Sequence, residues 1–410
     1  MRQSHLFAPL RRELPKEEES KNAILLIRGG YIDKTMAGVY SYLPLGLGVI
    51  QKVMAIVREE MNALPGVQEI LMPSLQPREL WLESGRWEDL SDIMYRVAED
   101  SMGLGPTHEE IVTDVFRRHV SSYKQLPLAV YQIQTKFRNE PRAKSGLLRG
   151  REFIMKDLYS FHTTEAGLIQ FYDKVKEAYR LIFSRCGLEP LVAMASGGIY
   201  SKFSEEFQLV NEAGEDTIYL NEAKDYGRNK EIVPNLNDEE FRQFAGKEAI
   251  SARSIEVGNI FKLNRKFSEP MQALVSSENG ELNAVWMGCY GLGISRLVGS
   301  LVEAVGDVEK GLISWPIAVA PFKIHLIDLT QDAQGEPIYA ALQKAGLEVL
   351  FDDRLLSAGE KFAEADLIGS PYRLVISKRS QAAGGIEYTN KITGFSEVKT
   401  LEIILKLLTD

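Results

Sequence analysis

The segment from Lys136 to Phe161 constrains the fold more than any other part of this chain. It carries seven basic residues, although the formal net charge of the 410-residue chain is -9. Residues 131–138 alternate apolar and polar side chains, which is typical of a half-buried strand, and residues 151–161 are rich in strand-forming residues. Pro141 to Gly150 lies between them as a basic loop. The sequence therefore predicts two strands joined by a loop that carries positive charge.

This arrangement places Arg138, Glu140, Arg149 and Phe153 close together on one sheet. Arginine side chains can hold a polyphosphate through paired hydrogen bonds, and an aromatic ring offers a stacking surface for a base. The pattern favours a nucleotide site. The alternative is a basic edge hairpin whose ion pairs are only structural.

Composition limits the remaining possibilities. The length indicates two or three domains, and a chain with 45% hydrophobic and 26% charged residues can form packed cores. The acidic balance disfavours nonspecific coating of nucleic acid but allows a local basic surface. Two cysteines cannot build a structural zinc cluster by themselves. No export signal or long apolar segment is visible, so we predict a cytoplasmic protein without membrane contact.

Helical spacing of apolar residues predicts an amphipathic helix from Leu47 to Leu64, ended by Pro65 and Gly66. A short strand from Glu69 to Met72 is predicted to follow. These two elements belong either to the core or to a dimer interface, and composition does not decide between the two.

Two further helices follow from the pattern. Pro106 and Thr107 of the GPTHEE sequence can open a helix, with Thr107 and Glu109 as simple capping residues. Glu165 to Cys186 carries an apolar stripe typical of a core helix. The polar stretch 222–252 marks an inserted or reduced module.

The segment from Val285 to Val305 is predicted as a short strand, a glycine turn and an apolar helix. Gly288, Gly291 and Gly293 permit close backbone approach, and Arg296 falls about one turn into the helix. A glycine-rich turn before a helix suits phosphate, but the P-loop lysine and the dinucleotide spacing are missing. Tight helix–strand packing explains such glycines equally well.

After about residue 313 strands and helices alternate, which predicts a small open sheet covered by helices. The last helix is predicted over Ser396–Leu408. We place the domain boundary at 313, giving domains 1–312 and 313–410.

These stretches, taken in order, resemble the class II aminoacyl-tRNA synthetases, and most closely the prolyl branch of that family. Residues 137–140 (FRNE) with Arg149–Phe153 look like the family's second signature motif, Met287–Arg296 looks like the third, and the helix and strand before Pro73 look like the first. GPTHEE is similar to the proline-recognition loop, and the final 90 or so residues are similar to the anticodon-binding domain. The resemblance covers nearly the whole chain.

The resemblance implies an α+β fold, with an antiparallel-sheet catalytic domain followed by a small α/β anticodon-binding domain. It also implies a homodimer that uses ATP with Mg²⁺ to attach L-proline to tRNA(Pro) through a prolyl-adenylate. No structural zinc is expected. The alternatives are another class II enzyme, such as the threonyl or glycyl enzyme, and a catalytically silent tRNA-binding relative.

The matching residues acquire roles through the resemblance. The implied ATP-binding residues are Arg138, Glu140, Arg149, Phe153 and Arg296, of which Arg138 and Arg296 are also catalytic. The implied proline-binding residues are Thr107, Glu109, Arg138 and Gly291. Candidates for tRNA contact are Arg142, Lys144, Asp353, Arg354 and Lys361, and Glu206 is a candidate magnesium ligand.

Three departures from the family pattern stand out. The loop after Arg138 reads RNEPRAKSG, Glu205 stands where bacterial relatives have histidine, and Asn259 also stands where histidine is common. Many bacterial relatives carry a long editing insertion between the second and third motifs, where this chain has only residues 222–252. We therefore predict an enzyme without cis-editing of mischarged alanine.

Overall fold

The computed structural model describes residues 1–410 except 9, 12, 16, 17, 142, 144, 236, 237, 247, 248, 331 and 410. The chain divides into two compact units. Unit 1 contains Met1–Met36, Tyr40–Val53 and Leu301–Asp410, and unit 2 contains Ala37–Val39 and Met54–Ser300. Within the described part of the chain, no helix is long and apolar enough to cross a membrane.

The helices, in chain order, are α1 Lys21–Arg28, α2 Pro44–Ala63, α3 Arg78–Glu83, α4 Glu109–His119, α5 Glu165–Cys186, α6 Asp238–Ala245, α7 Ile294–Val305, α8 Gly335–Lys344, α9 Ala358–Ile368, α10 Lys378–Ala382 and α11 Leu401–Thr409. Short 3-10 turns cover Gln3–His5, Tyr123–Gln125, Gly146–Leu148 and Lys230–Asn235.

The strands are β1 Ile32–Met36, β2 Val39–Tyr42, β3 Val67–Glu69, β4 Leu75–Pro77, β5 Tyr95–Val97, β6 Met102–Leu104, β7 Leu128–Phe137, β8 Glu152–His162, β9 Leu191–Ser196, β10 Phe203–Val210, β11 Asp216–Leu220, β12 Tyr226–Asn229, β13 Ser251–Asn264, β14 Leu274–Ser276, β15 Leu282–Ala284, β16 Trp286–Gly293, β17 Ile324–Asp328, β18 Val349–Asp352, β19 Tyr372–Ile376, β20 Ile386–Asn390 and β21 Phe395–Lys399.

Unit 2 is built on a large, mostly antiparallel sheet with the order β10-β9-β12-β11-β13-β16-β8-β7-β3, in which β10 also pairs with β13. The predicted basic hairpin is confirmed, because β7 and β8 pair antiparallel from Leu128 opposite Phe161 to Phe137 opposite Glu152. The strand β16 pairs antiparallel with β8 on the side of β8 away from β7. The two stretches that resemble the family's second and third signature motifs therefore lie side by side.

The helix α5 has the bounds that its apolar stripe predicts. The Thr164 side chain accepts a hydrogen bond from the Gly167 amide at its start, and Gly187 ends the helix with a φ of 86°, a conformation that glycine adopts without strain. Its buried face packs on β8, β13 and β16. This helix covers the side of the sheet opposite the candidate site.

Unit 1 contains a five-stranded sheet of order β18-β17-β19-β20-β21. The strands β18, β17 and β19 run parallel, and β20 and β21 complete the sheet as antiparallel strands. Leu326 packs with residues of α8 and α11, whereas Ile327 packs with α9. Because neighbouring residues of a strand face opposite sides, the helices cover both faces of the sheet. The predicted alternation of strands and helices is confirmed.

Three predicted elements differ from the structure. The strand placed at Glu69–Met72 is β3, which ends at Glu69, and only the Ile70 amide continues its bonding to the Tyr131 carbonyl. The start of the predicted last helix, Ser396–Lys399, belongs instead to β21, because pairing with β20 overrides the local helical spacing.

The third difference is the predicted glycine turn, which is part of β16. Gly288, Gly291 and Gly293 pair with β8, and Gly288 and Gly291 also pair with β13. A Cβ atom at Gly288 would lie 2.3 Å from the Tyr290 hydroxyl oxygen. Close packing inside the sheet explains that glycine.

Candidate active site

A cavity of about 580 Å³ in unit 2 collects most of the predicted site residues. Its walls come from β8, β13 and β16, from the loop between β7 and β8, from the segment that opens α4 and from the turn between β9 and β10. The predicted residues that line it are Thr107, Glu109, Arg138, Glu140, Arg149, Phe153, Gly291 and Arg296. A smaller cavity, of about 260 Å³ beside His162, contains none of them.

Arg138 follows directly after β7. Its Nε and one Nη each donate to the Pro106 carbonyl at 3.3 Å, and its Cζ lies 5.3 Å from the centroid of the Phe153 ring. Among the described residues no carboxylate lies within ion-pair distance of it. An arginine held by a carbonyl and a ring but not by a carboxylate is suited to receiving an anionic ligand.

Arg149 is held by two carboxylates. Its Nε lies 2.9 Å from Glu140 Oε2, and its Nη1 pairs with Glu215. The Ser145 hydroxyl also donates to Glu215 at 3.3 Å. Glu215 lies in the loop before β11, and the sequence pattern did not single it out. A phosphate that binds Arg149 through Nε or Nη1 has to replace one of these carboxylates.

Arg296 lies in the first turn of α7. Its Nε donates to the Leu148 carbonyl at 2.8 Å, and its Nη1 donates to the Glu256 carbonyl at 2.9 Å and to the Glu256 carboxylate at 3.1 Å. These contacts fix the guanidinium at the wall of the cavity. Glu256 is a second cavity residue that no local sequence pattern indicates.

Glu109 sits at the base of the cavity with both carboxylate oxygens occupied. Thr107 donates to Oε2 at 2.6 Å, and the Cys289 thiol donates to Oε1 at 3.2 Å. Burial raises the pKa of Cys289 well above its ordinary value, so the thiol stays neutral. The capping explanation is wrong for Thr107, because His108 is the N-cap of α4 and makes no side-chain cap.

Beneath this group lies a buried polar network that the sequence did not indicate. Lys136 Nζ lies 2.8 Å from Asp157 Oδ1 and 2.8 Å from His108 Nδ1. Burial, reinforced by the neighbouring Lys136, lowers the pKa of His108 to about 4, so the neutral ring accepts from the ammonium. Lys156 is also buried and donates to Tyr179 and to the Tyr290 carbonyl. Of the five cations of the basic segment that the structure describes, two therefore face the interior.

Buried histidines give the fold a predictable response to acid. Burial lowers the pKa of His108, His162 and His325 to about 4. Because an unfolded histidine titrates near 6.5, the unfolded chain binds more protons below that pH, and stability falls as the pH drops from about 6.5 towards 4.

We expect His162→Phe to reduce the loss of unfolding free energy between pH 7 and pH 5 by about 2 kcal/mol. The new ring keeps the contact with Phe171, whose centroid lies 5.4 Å from that of His162. Urea unfolding at the two pH values measures the effect, with the exposed His119→Phe as the control. An unaltered pH dependence in His162→Phe would contradict this expectation.

Glu206 faces the cavity side of β10 and has both oxygens engaged. It accepts from Gln208 at 2.8 Å and from Asn259 at 3.2 Å. Burial raises the pKa of Glu206 to about 9, and the negative charge of Glu256 adds to the same shift. Within the described ranges, no three His, Cys, Asp or Glu side chains converge in a way that could hold a metal ion.

The departures at positions 205 and 259 have different consequences. Glu205 points to the other face of β10 and pairs with Lys176 of α5 at 2.6 Å, so it lies away from the cavity. Asn259 lines the cavity and donates to Glu206 and Glu256. Only the second departure changes the chemistry of the cavity wall.

The residues predicted to contact tRNA are located less directly. Arg142 and Lys144 lie outside the described residues. Asp353 accepts from the Ser4 amide and hydroxyl, at 3.0 and 2.7 Å, and Arg354 donates to Asp352 and Glu364. Lys361 is buried and donates to the carbonyls of Asp328 and Asp352.

Family models match two parts of the chain. Residues 94–305 match the class II core domain of the tRNA synthetases for Gly, His, Pro, Ser and Thr, and residues 317–406 match an anticodon-binding domain. The proline–tRNA ligase of Agrobacterium fabrum is 41% identical, with 98% of each chain covered. The proline–tRNA ligase of Geobacillus kaustophilus is 36% identical, with 96% of each chain covered.

The two alignments differ in length. The Geobacillus alignment runs over 551 positions, so a chain of 410 residues is gapped at no fewer than 141 of them. The Agrobacterium alignment runs over only 438 positions. This chain therefore has the length of a short form of the enzyme, without the additional positions of the Geobacillus relative.

Solved structures have the same fold. A Giardia lamblia prolyl-tRNA synthetase in complex with prolyl-adenylate superimposes with a TM-score of 0.75 at 20% identity, covering 93% of this chain and 74% of that one. A Cryptosporidium parvum prolyl-tRNA synthetase complexed with halofuginone and AMPPNP gives a TM-score of 0.76 at 17% identity, with 94% and 76% covered. The predicted fold class is confirmed, and the chain belongs to the prolyl-tRNA synthetases, the class II aminoacyl-tRNA synthetases that act on proline.

Proposed function

We propose that the chain activates L-proline with ATP and transfers it to tRNA(Pro), and that the 580 Å³ cavity is where both steps occur. The observation that carries this proposal is the gathering in one cavity of Arg138, Arg296, Phe153 and the Thr107–Glu109 pair. Arginines suit phosphates, a ring suits a base, and a carboxylate suits an ammonium. The relatives named proline–tRNA ligase support the same assignment.

In the first step, a carboxylate oxygen of proline bonds to the α-phosphorus of ATP, and the bond from that phosphorus to the pyrophosphate oxygen breaks. The cavity contributes position and positive charge, as is usual for phosphoryl and nucleotidyl transfer. In this proposal Arg138 neutralises the α-phosphate and orients the attacking carboxylate. Arg149 and Arg296 hold the outer phosphates.

The base and the metal follow from the same arrangement. Phe153 stacks on one face of adenine, Arg296 covers the other face and Glu140 approaches the base edge. A magnesium ion bound with ATP would lower the negative charge at the transferred group. Glu206 is a poor fit as a magnesium ligand, because amides already occupy both oxygens. We also propose that no structural zinc is needed, since Cys186 and Cys289 are buried free thiols.

Proline offers a secondary ammonium with two N–H donors. We propose that Thr107 and Glu109 accept these donors and that Gly291 leaves room for the ring. The Glu109 side chain has no exposed area, although it forms part of the cavity wall. Binding of the ammonium therefore requires a shift of the side chains that cover Glu109.

In the second step, a terminal ribose hydroxyl of tRNA attacks the carbonyl carbon of the adenylate, and AMP leaves. We propose that Arg142 and Lys144 contact the acceptor stem. We also propose that residues 1–312 form the catalytic part and 313–410 the anticodon-binding part, with contributions from Asp353 and Arg354. Lys361 would act indirectly, since it holds the backbone beside Arg354.

The enzyme is proposed to act in the cytoplasm as a homodimer. Leu71 and Leu75 follow α2 and β3, the segment whose counterpart forms the dimer interface in the family, and their side chains are 75% and 47% exposed. Exposed leucines at such a position fit an interface between two copies. Sedimentation equilibrium of the purified protein distinguishes a dimer from a monomer.

Amino-acid-dependent ATP–pyrophosphate exchange, measured with each of the twenty amino acids, tests the proposed reaction. We expect exchange with proline. Exchange with threonine or glycine in its place would indicate another class II specificity, and tRNA binding without any exchange would indicate a catalytically silent relative.

Glu215 is expected to compete with ATP for Arg149. Replacing it with glutamine removes the competing charge, so we expect the KM for ATP to fall about threefold, since an exposed ion pair is worth roughly 0.2–1 kcal/mol. The KM for proline should not change. Steady-state exchange measures both constants, and a rise in the KM for ATP would show that Glu215 assists binding.

Editing is addressed by a separate expectation. A pocket shaped for proline rejects the smaller alanine by only about 1–3 kcal/mol for each missing methylene, and this chain has only residues 222–252 where many relatives carry an editing insertion. We expect Ala-tRNA(Pro) to be deacylated no faster in the presence of purified enzyme than by spontaneous hydrolysis. Deacylation that depends on enzyme concentration would refute the absence of cis-editing.

A further inference from the structure

Arg86 is a buried charge to which the proposed reaction gives no role. It lies in the turn after α3, and its side chain is only 2% exposed. Its Nη1 donates to Glu109 Oε2 at 3.2 Å, to Glu110 Oε1 at 3.0 Å and to Glu110 Oε2 at 3.3 Å. One guanidinium nitrogen thus joins two adjacent carboxylates in the first turn of α4.

The charges in this cluster do not balance. Arg86 supplies one positive charge, whereas Glu109 and Glu110 together supply two negative charges when both are ionised. The next buried cation, Lys136, is already paired with Asp157. Burial raises the pKa of Glu110 to about 7 although Arg86 opposes the shift, which agrees with a shortage of positive charge. The ammonium of an amino acid at Glu109 would supply the missing charge.

Arg86 is also fixed from its other side. Its Cζ lies 4.7 Å from the centroid of the Tyr200 ring, and the rings of Trp81 and Phe267 lie at 5.3 and 5.0 Å. In the described part of the chain its Nε and Nη2 find no hydrogen-bond acceptor. The rings of Tyr200, Trp81 and Phe267 hold the guanidinium in place, and Nη1 is the nitrogen that contacts the two carboxylates.

We propose that Arg86 is a positioning residue for amino-acid binding: it holds the Glu109 carboxylate where the substrate's ammonium meets it. Glu110 serves as the second anchor of Arg86, and the Ser84 hydroxyl holds Glu110 Oε1 at 2.7 Å. This inference rests on the proposed function, since it takes the ligand of Glu109 to be the amino group of proline.

The competing explanation is that Arg86 only stabilises the fold. Removing one partner of a buried ion pair is strongly destabilising, because a buried charge then lacks its counterion, so Arg86→Met alone does not separate the two roles. Arg86→Met combined with Glu110→Gln does. The double change removes one positive and one negative charge and so keeps the net charge of the cluster. It also removes the Arg86 side chain that positions Glu109.

The experiment measures exchange kinetics and thermal unfolding for Arg86→Lys, Arg86→Met/Glu110→Gln and the exposed control Arg118→Met on α4. For the double variant we expect the KM for proline to rise about tenfold or more, with kcat and the KM for ATP each within about threefold of the parent values. Arg86→Lys keeps a donor and should stay within about threefold of the parent KM for proline.

A folded double variant with an unaltered KM for proline would overturn the proposal, and so would an equal rise in the KM for ATP. If the parent enzyme performs exchange with a different amino acid, the proposed function fails, and the same variants measured with that amino acid decide the role of Arg86. An absence of exchange with every amino acid would overturn both.

Discussion

Replacing Arg138 with alanine is expected to lower kcat/KM for proline-dependent exchange by about a thousandfold, which corresponds to roughly 4 kcal/mol of transition-state stabilisation. Arg138 is the cavity arginine without a carboxylate partner among the described residues, whereas Arg149 and Arg296 are paired with Glu215 and Glu256. It is therefore the cavity cation best placed to neutralise the negative charge that develops on the α-phosphate.

Two further variants make this expectation sharper. Arg138→Lys keeps the charge but loses the planar fork, so we expect activity between that of the parent and that of Arg138→Ala. The exposed Arg180→Ala on α5 is the matched control for loss of a positive charge. Thermal unfolding should give similar midpoints for all three. Exchange within tenfold of the parent in a folded Arg138→Ala enzyme would refute the assigned role.

Lys136→Met is expected to destabilise unit 2 by about 3–5 kcal/mol, because it leaves Asp157 as a buried charge without its cation. Lys136 has no exposed area, and its ammonium lies 2.8 Å from Asp157 Oδ1. Although burial by itself favours the neutral acid, Lys136 holds the pKa of Asp157 below its usual range. A fall of roughly 10 °C in the unfolding midpoint should follow.

The double variant Lys136→Met/Asp157→Asn tests the reason for this loss. Removing both charges should recover part of the stability, since the remaining side chains can be buried without an unpaired ion. Lys174→Met, at an exposed position of α5, is the control. A double variant less stable than Lys136→Met would show that Asp157 contributes mainly through Gln132 and Tyr159, which both donate to its other oxygen.

The sequence predicted the framework well where one side chain pattern dominates. The alternation in residues 131–138 gave β7, and the apolar stripe of Glu165–Cys186 gave α5 with its bounds. Both patterns report burial on one face, which is the main force that selects a regular element. The helical spacing of apolar residues gave a wrong prediction at Ser396–Lys399, because pairing with β20 makes this segment a strand.

The candidate site was predicted in part, for a related reason. Arg138, Phe153 and Arg296 were found because they lie within motifs that resemble a known family, and the cavity brings them together. Glu215, Glu256 and Arg86 carry no such local signal. Each matters only through a partner that is distant in sequence. The separation is 66 positions for Glu215 and Arg149, 40 for Glu256 and Arg296, and 23 for Arg86 and Glu109.

The basic segment Lys136–Phe161 illustrates the division between the two kinds of information. Its sequence by itself determined a hairpin rich in positive charge and a resemblance to a nucleotide-binding motif. Only the tertiary structure decided which cations face the cavity. Arg138 lines it, whereas Lys136 is buried in an ion pair with Asp157 and Lys156 is buried in hydrogen bonds to Tyr179 and the Tyr290 carbonyl. The reason is physical, because the burial of a charge depends on partners such as His108 and Tyr290 that arrive from distant strands and loops.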